Sequence, residues 1–507
     1  MSRLADFIGI PSANDRVMRL AKVLLTLGPL ANFTVVMSTT FYLIFVAEAL
    51  GGGVGYEFYV EGLKYVGTLI AIEMGIQLLL DYPTGAIGDW IGQRYIITSA
   101  TLCYALSFYM VSFVEVGTPF WYLVIIYAIL GFADSQQSGA FSAWFDNNYR
   151  AAMPGDVQRK QYGVFLGRLG MVMAIVSTAA LIPGSLIAAI LGRPFVFQLQ
   201  AVLMVILAVS GFILIVDFPE VREAREGRPS FEEYKEVLGG GISYLFEHPF
   251  IKYIVIGSML AASSIIVWGN LILFPLYFSY LLTDVAVASF RTILFVPGVF
   301  SQERSGVWSQ RFEPKKWIPR FRLLQTCGLI FFWVVGIVMA IFPPASPTDP
   351  TFDILFPFTN IAIITLPYVS IIPILLLLAA FISTSFFGAF AEILTQRELL
   401  DAIPNKIRNS MYSLSPTIAT LFALPQIVFF GWSISTIGFP TTLLLCGVVS
   451  LLGVILIRHG LSKPKPVVQD HVGFKPSQEE IDESDEGWPD EMLEKEIFDI
   501  SEDDEIV

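Results

Sequence analysis

Asp81-Tyr82-Pro83-Thr84-Gly85-Ala86-Ile87-Gly88-Asp89-Trp90-Ile91-Gly92-Gln93-Arg94 joins two long apolar runs, 63–88 and 95–114. Its chemistry suits a tight connection between two packed helices. Gly85 lets neighbouring helices approach closely, and Gly92 permits a sharp turn. The Asp89 carboxylate can face a helix N-terminus or an arginine and hold one arrangement of the helices.

Outward from this junction the chain keeps the same character. It has 507 residues, of which only 15% are charged, and its mean hydropathy is +0.66. A soluble protein of this length would carry nearer a quarter charged residues. Stretches 202–216, 323–343 and 441–457 are almost free of charge. A helix needs about 20 mostly apolar residues to cross a hydrocarbon core of ~30 Å. Barrel strands alternate in character at every second residue, whereas these runs are apolar on all sides.

The expected fold is an all-α polytopic membrane protein with twelve transmembrane helices in two pseudo-symmetric six-helix bundles. The predicted spans are 27–50, 63–88, 95–114, 120–147, 162–191 and 195–217, then 251–281, 284–303, 319–342, 367–394, 409–432 and 436–458. The corresponding division is a cytoplasmic N-terminal segment (1–26), a first bundle (27–217), a linker with an amphipathic surface helix (218–250), a second bundle (251–460) and an acidic tail (461–507). In the linker, Ser230 and Glu233 have capping-box spacing, and Phe231, Tyr234, Val237 and Leu238 form an apolar stripe. Residues 343–366 read as an external loop or re-entrant segment. Basic residues crowd the connections on one side of these spans, while the other side has only Lys64, Arg193 and Arg291. The positive-inside rule then puts both termini in the cytoplasm, which requires an even number of spans. The plasma membrane is the expected location.

The net charge is −13, but residues 466–507 hold sixteen acids against Lys475 and Lys495, so the body of the chain is near neutral. Few aliphatic residues accompany those acids, so the tail is expected to be disordered. Cys103, Cys327 and Cys446 lie apart within apolar runs and suggest neither a disulfide framework nor a metal site. No cofactor, nucleic-acid partner or oligomer is indicated.

An internal repeat supports the two-bundle division. The junction Gly85–Arg94 has a degenerate counterpart in Gly306, Arg311 and Lys315, and Gly139-Ala140-Phe141 matches Gly388-Ala389-Phe390. Ala152, Pro154 and Tyr162 match Ala402, Pro404 and Tyr412 at a constant offset of 250. Repeats of this kind build alternating-access transporters. The junction itself resembles the signature loop of the major facilitator superfamily: Gly85, Asp89, Gly92 and Arg94 match the pattern, while Trp90 and Tyr95 replace its usual basic residues. The resemblance covers roughly residues 20–460. It implies a secondary transporter in which Asp89 helps close the cytoplasmic side of the outward-facing state. It also implies a cavity lined by the first, fourth, seventh and tenth helices. Candidates there are Asn32, Thr39, Tyr42, Asp134, Gln137, Trp268, Asn270, Ser383 and Ser385. The family's glycine-dense antiporter pattern is not matched in the fifth span, where Ala180-Leu-Ile-Pro183-Gly184 stands instead, and the usual fourth-span arginine is absent.

Charges inside a span cost about 2.5–3.5 kcal/mol each on insertion scales, so each requires an explanation. Glu73, Gln77 and Asp81 recur every four residues in the second span; Asp134, Ser138, Ser142 and Asp146 do so in the fourth. Arg168 is the one cation of the fifth, at a depth that makes Asp134 or Asp81 its expected partner. That pair either couples transport or is a fixed salt bridge. Glu73 has no evident partner and is a candidate proton carrier. Glu48 and Glu392 are expected at the membrane interfaces.

The expected function is movement of a small organic solute by alternating access, with protons as a candidate coupling ion. GxxxxGK[ST], HExxH and GxSxG motifs are all missing, and His248, His459 and His471 lie outside the spans, which disfavours an ATP motor or an enzyme. The competing reading is a transporter-like receptor or scaffold that recruits a partner through the acidic tail.

Overall fold

A computed structural model describes residues 3–11, 14–156, 160–223, 239, 242–294, 311–355, 362–400 and 402–466. The chain begins with α1 (Arg3–Ile8), α2 (Asp15–Val36), α3 (Thr39–Gly51), α4 (Tyr56–Ile91) and α5 (Gln93–Val111). It continues through α6 (Phe120–Gln137), α7 (Ala140–Ala152), α8 (Lys160–Leu191), α9 (Arg193–Leu214) and the short α10 (Pro219–Glu223). The second half contains α11 (Pro249–Val267), a π-helical turn (Trp268–Ile272) and α12 (Leu273–Leu281). Residues 284–294 are helical. Then come α13 (Pro314–Leu324), α14 (Leu329–Ile341), α15 (Ile371–Leu400) and α16 (Asn405–Leu461).

Among the described residues, eight helices are long and apolar enough to cross a membrane. They leave many large apolar side chains uncovered; on α9 these include Val202, Val205, Ile206, Val209 and Ile213. Backbone groups are satisfied within each helix, so such faces suit lipid contact. The chain is a multi-pass integral membrane protein.

Two helices are broken where the expected spans are continuous. The first predicted span is interrupted at Met37-Ser38, between α2 and α3. The Asp134–Asp146 stripe is also cut, because Ser138 leaves helical geometry and Gly139 takes φ 73°. Asp134 therefore lies in the last turn of α6, whereas Asp146 lies on α7 and pairs with Arg150 at 2.9 Å. The break in α16 at Gly438, φ 79°, by contrast, falls near the division drawn between the spans 409–432 and 436–458. The segment expected to be a loop or re-entrant stretch instead contains an antiparallel hairpin, β1 (Thr351–Leu355) with β2 (Ala362–Pro367). The proposed surface helix around Ser230–Leu238, Gly306 of the repeat and the tail beyond 466 lie outside the described residues.

Apolar packing differs between the two ends of the molecule. At the end away from the termini, one core contains residues of both halves, including Phe41, Tyr59 and Phe197 with Tyr277, Phe331 and Ile427. At the terminus-bearing end each half keeps its own core. One contains Ile8, Val17, Trp144 and Phe165; the other contains Leu245, Phe321, Phe390 and Leu461. Among the described residues, the molecule is thus sealed at one end and divided at the other.

The seal depends on close helix approach. A Cβ on Gly67 of α4 would lie 2.7 Å from the Ile427 carbonyl oxygen of α16, and one on Gly431 would lie 2.7 Å from that of Leu63. Replacing Gly67 by leucine should force the two backbones apart. Overpacking of this kind costs about 1–3 kcal/mol, and the rigid carbonyl leaves no side chain to yield. The expected result is a lower thermal midpoint for the detergent-solubilised protein; an unchanged midpoint would show that the seam is looser than its geometry.

A carboxyl pair in a cavity between the halves

A cavity of about 300 Å³ lies where the two halves meet. Its first-half wall includes Thr39, Tyr42, Glu73, Gln77, Tyr104, Tyr127 and Asp134, and its second-half wall includes Gly269, Asn270 and Phe274. Glu73 and Gln77 share a stripe of α4, as the four-residue spacing predicts. Asp134 reaches the same space because α6 presses against α4. A methyl group on Gly131 would collide with the Glu73 backbone carbonyl, so only glycine permits this approach one turn before Asp134. A second tie comes from Thr84, whose hydroxyl donates to the Ser135 carbonyl at 2.9 Å.

The result is that two carboxyl groups, Glu73 and Asp134, face the same cavity. A carboxylate only accepts hydrogen bonds, so the two can bond to each other only when one of them carries a proton. Two bare carboxylates facing one enclosed space would instead repel each other in a medium that screens poorly. Tyr104 donates its hydroxyl to Asp134 Oδ1. Tyr42 and Tyr127 close the pair in from the α3 and α6 sides, their rings 5.9 Å apart. The arrangement can hold one proton, release it and take it up again.

The expected ion pair of Arg168 with Asp134 or Asp81 is not formed. Arg168 is exposed on α8, which packs mainly against α2 and α9, whereas α6 packs against α4 and α5. Depth along the membrane matched, but the helices are not neighbours. Asp81 is exposed, and its backbone carbonyl accepts from Thr84.

The remaining cavity candidates separate into groups. Tyr42 and Asn270 line the central cavity. Asn32 and Gln137 line a different one of about 240 Å³ inside the first half, and Tyr104 borders both. Trp268 is buried against Phe331 and Phe332, with ring centroids at 5.0 and 6.0 Å, and belongs to the core. Ser383 is exposed, its hydroxyl turned back to the Ala380 carbonyl at 3.1 Å.

At the Gly85–Arg94 junction, Gly92 takes φ 109° and allows α4 to turn into α5. Gly85 has open space where a Cβ would stand. Asp89 accepts from Gln93 Nε2 at 2.9 Å and is otherwise exposed, while Arg94 lies 4.1 Å from the Phe212 ring. Neither charge clasps a described residue of the second half.

Sequence reasoning missed the charged lock at the sealed end. Arg193, at the start of α9, donates from Nη1 to Glu48 Oε2 at 2.7 Å. It grips Asp284 with two bonds of 2.8 Å, from Nε and Nη2. Glu48 also accepts from the Gly55 amide at 3.0 Å, and its side chain is only 5% exposed. Nearby, the Tyr59 hydroxyl donates to the Pro275 carbonyl at 3.2 Å, again between halves. The signal was available: Arg193 is one of three basic residues on its side of the predicted spans. Glu392 pairs with Arg322 at 2.7 Å towards the terminus-bearing end.

These features define a membrane transporter fold of two helical halves around a central cavity. A sequence profile described as Major Facilitator Superfamily matches residues 25–358, and the chain belongs to that family. Among solved structures, the nucleoside transporter NupG superposes with a TM-score of 0.63 at 12% identity, covering 89% of this chain and all of that one. A D-xylose-proton symporter gives 0.58 at 14% identity, covering 89% of this chain and 99% of the other. The xylose transporter XylE from E. coli, in an inward-open conformation, gives 0.53 at 14% identity over 87% and 95%. A comparison with curated protein sequences finds no match.

Proposed function

We propose that this protein is a secondary active transporter that moves a small organic solute by alternating access, coupled to protons through Glu73 and Asp134. The observation that carries the reading is the carboxyl pair in a cavity between halves that are sealed at one end and divided at the other. An intramembrane carboxyl pair is costly to keep unless it works. The solved relatives named above carry nucleosides and D-xylose, the latter with protons.

Twelve crossings fit this reading. Helices α2 with α3, and α6 with α7, each act as one broken span, and α16 folds into two at Gly438. The distribution of basic residues places the terminus-bearing end in the cytoplasm of a plasma-membrane protein. The conformation described is then inward-facing. Gly85, Asp89, Gly92 and Arg94 would engage the second half only after the inner mouth closes. The protein works as a monomer in this account, with lipid around it.

The test uses proteoliposomes and a panel of radiolabelled nucleosides, sugars and amines under an imposed pH gradient. At least one solute should accumulate and lose that accumulation when the gradient is collapsed. Accumulation indifferent to the gradient would remove the proton from the scheme. If no solute in a broad panel moves, the reading fails and recruitment of a partner by the acidic tail becomes the better account.

A further inference from the structure

The chemistry of the cavity wall narrows the solute beyond the transport reading on which this inference rests. Two carboxyl groups face the space, and no lysine, arginine or histidine is among the described residues that line it. The other ionisable groups facing the pair are the phenols of Tyr42 on α3, Tyr104 on α5 and Tyr127 on α6. Tyr104 already spends its proton on Asp134. Across the cavity, the π-helical turn presents Asn270, whose amide nitrogen is committed to the Ile266 carbonyl at 2.9 Å. Its oxygen remains as an acceptor beside the space. Phe108 and Phe274 add ring surface to that of the tyrosines.

Acceptors, negative charge and aromatic faces together define a receptor for positive charge. An anionic solute would meet a wall that is already negative, with no cation among its described residues. A cation gains Coulomb attraction from the pair and from the negative faces of the rings. We propose that the cavity binds a small organic cation carrying one positive charge and a ring, which takes the place of the proton shared by Glu73 and Asp134. The exchange balances. The hydrogen bond between the carboxyls breaks, the proton leaves to water at the divided end, and the ammonium or amidinium group enters beside two carboxylates. The charge of the loaded site stays the same in both states, so one cation exchanges for one proton.

The experiment uses the purified full chain in detergent with three cationic probes: benzyltrimethylammonium, phenylguanidine and N-methylpyridinium. Benzyl alcohol and benzoate serve as neutral and anionic counterparts. Binding is followed by calorimetry, and proton release by a pH indicator in weak buffer. At least one cation should bind and release about one proton per protein, with neither counterpart binding comparably. Glu73→Gln should weaken that cation by about tenfold or more. Because the proton count is read on the wild type, the result does not depend on the variant folding. Binding of no cation, binding without proton release, or equal binding of benzyl alcohol would overturn the proposal. Proton-driven accumulation of a neutral solute that cations do not compete with would overturn it while leaving the transporter intact. Cation binding with proton release, in a protein that moves nothing in proteoliposomes, would do the reverse.

Discussion

Glu73→Gln in proteoliposomes is expected to abolish accumulation against a gradient while leaving exchange down a gradient. One pH unit corresponds to about 1.4 kcal/mol per proton, so a gradient of roughly two units lets one coupled proton sustain about 100-fold accumulation. Glutamine keeps the size of the side chain and can still hydrogen-bond Asp134, so the cavity should keep its shape. It cannot exchange a proton, and the internal-to-external ratio should settle near unity. Counterflow of labelled against unlabelled solute separates this outcome from simple misfolding, because a misfolded protein loses both. Accumulation at the wild-type level would remove Glu73 from the coupling step. Asp134→Asn should behave in the same way, with the added loss of an acceptor for the Tyr104 hydroxyl.

Arg193→Ala should release the sealed end. The substitution leaves Glu48 and Asp284 without their common cation in a place where both are nearly covered, at 5% and 11% side-chain exposure. Removing one partner of a buried ion pair typically costs about 3–5 kcal/mol, because the remaining charge is stranded. That cost falls on the sealed state alone, since an open mouth lets water solvate both carboxylates. Each 1.4 kcal/mol is about a tenfold shift in population, so the variant should pass from sealed to open. The readout is maleimide labelling of Tyr59→Cys, with Cys103, Cys327 and Cys446 replaced by alanine. Tyr59 is 1% exposed, so labelling should be slow with Arg193 present and fast without it. Arg193→Lys should fall between the two, because an ammonium cannot reproduce the two-bond fork to Asp284. Equal labelling in all three would mean that apolar packing alone holds the seal.

The family was legible from a single junction, because Gly85, Asp89, Gly92 and Arg94 serve a local geometry that needs particular residues at fixed spacing. The membrane helices were legible too, since hydropathy is a property of each segment by itself. Glu73 and Asp134 stood out by their cost in an apolar run. Their partnership did not. Counting residues gives depth along a helix axis but not which helix lies alongside, and so Arg168 was set against Asp134 across helices that do not pack together. What brings Glu73 to Asp134 is Gly131, whose role depends on the backbone it touches. Tyr104 and Tyr127 were hidden for a related reason: aromatic residues on apolar helices most often simply pack. The break at Ser138-Gly139 was missed because a four-residue rhythm of polar side chains runs straight through it.

The π-helical turn at Trp268–Ile272 bears on how the chain tolerates insertion and deletion. Its hydrogen bonds reach one residue further than those of an α-helix, so it holds a surplus residue without interrupting the rod. Removing that residue would regularise the helix and rotate everything after it relative to everything before. Phe274 and Tyr277 would leave their present neighbours, and Asn270 would no longer look across at the carboxyl pair. A one-residue deletion there is therefore a change of register rather than of composition, and the length of this short segment is as much a part of the binding surface as the side chains it displays.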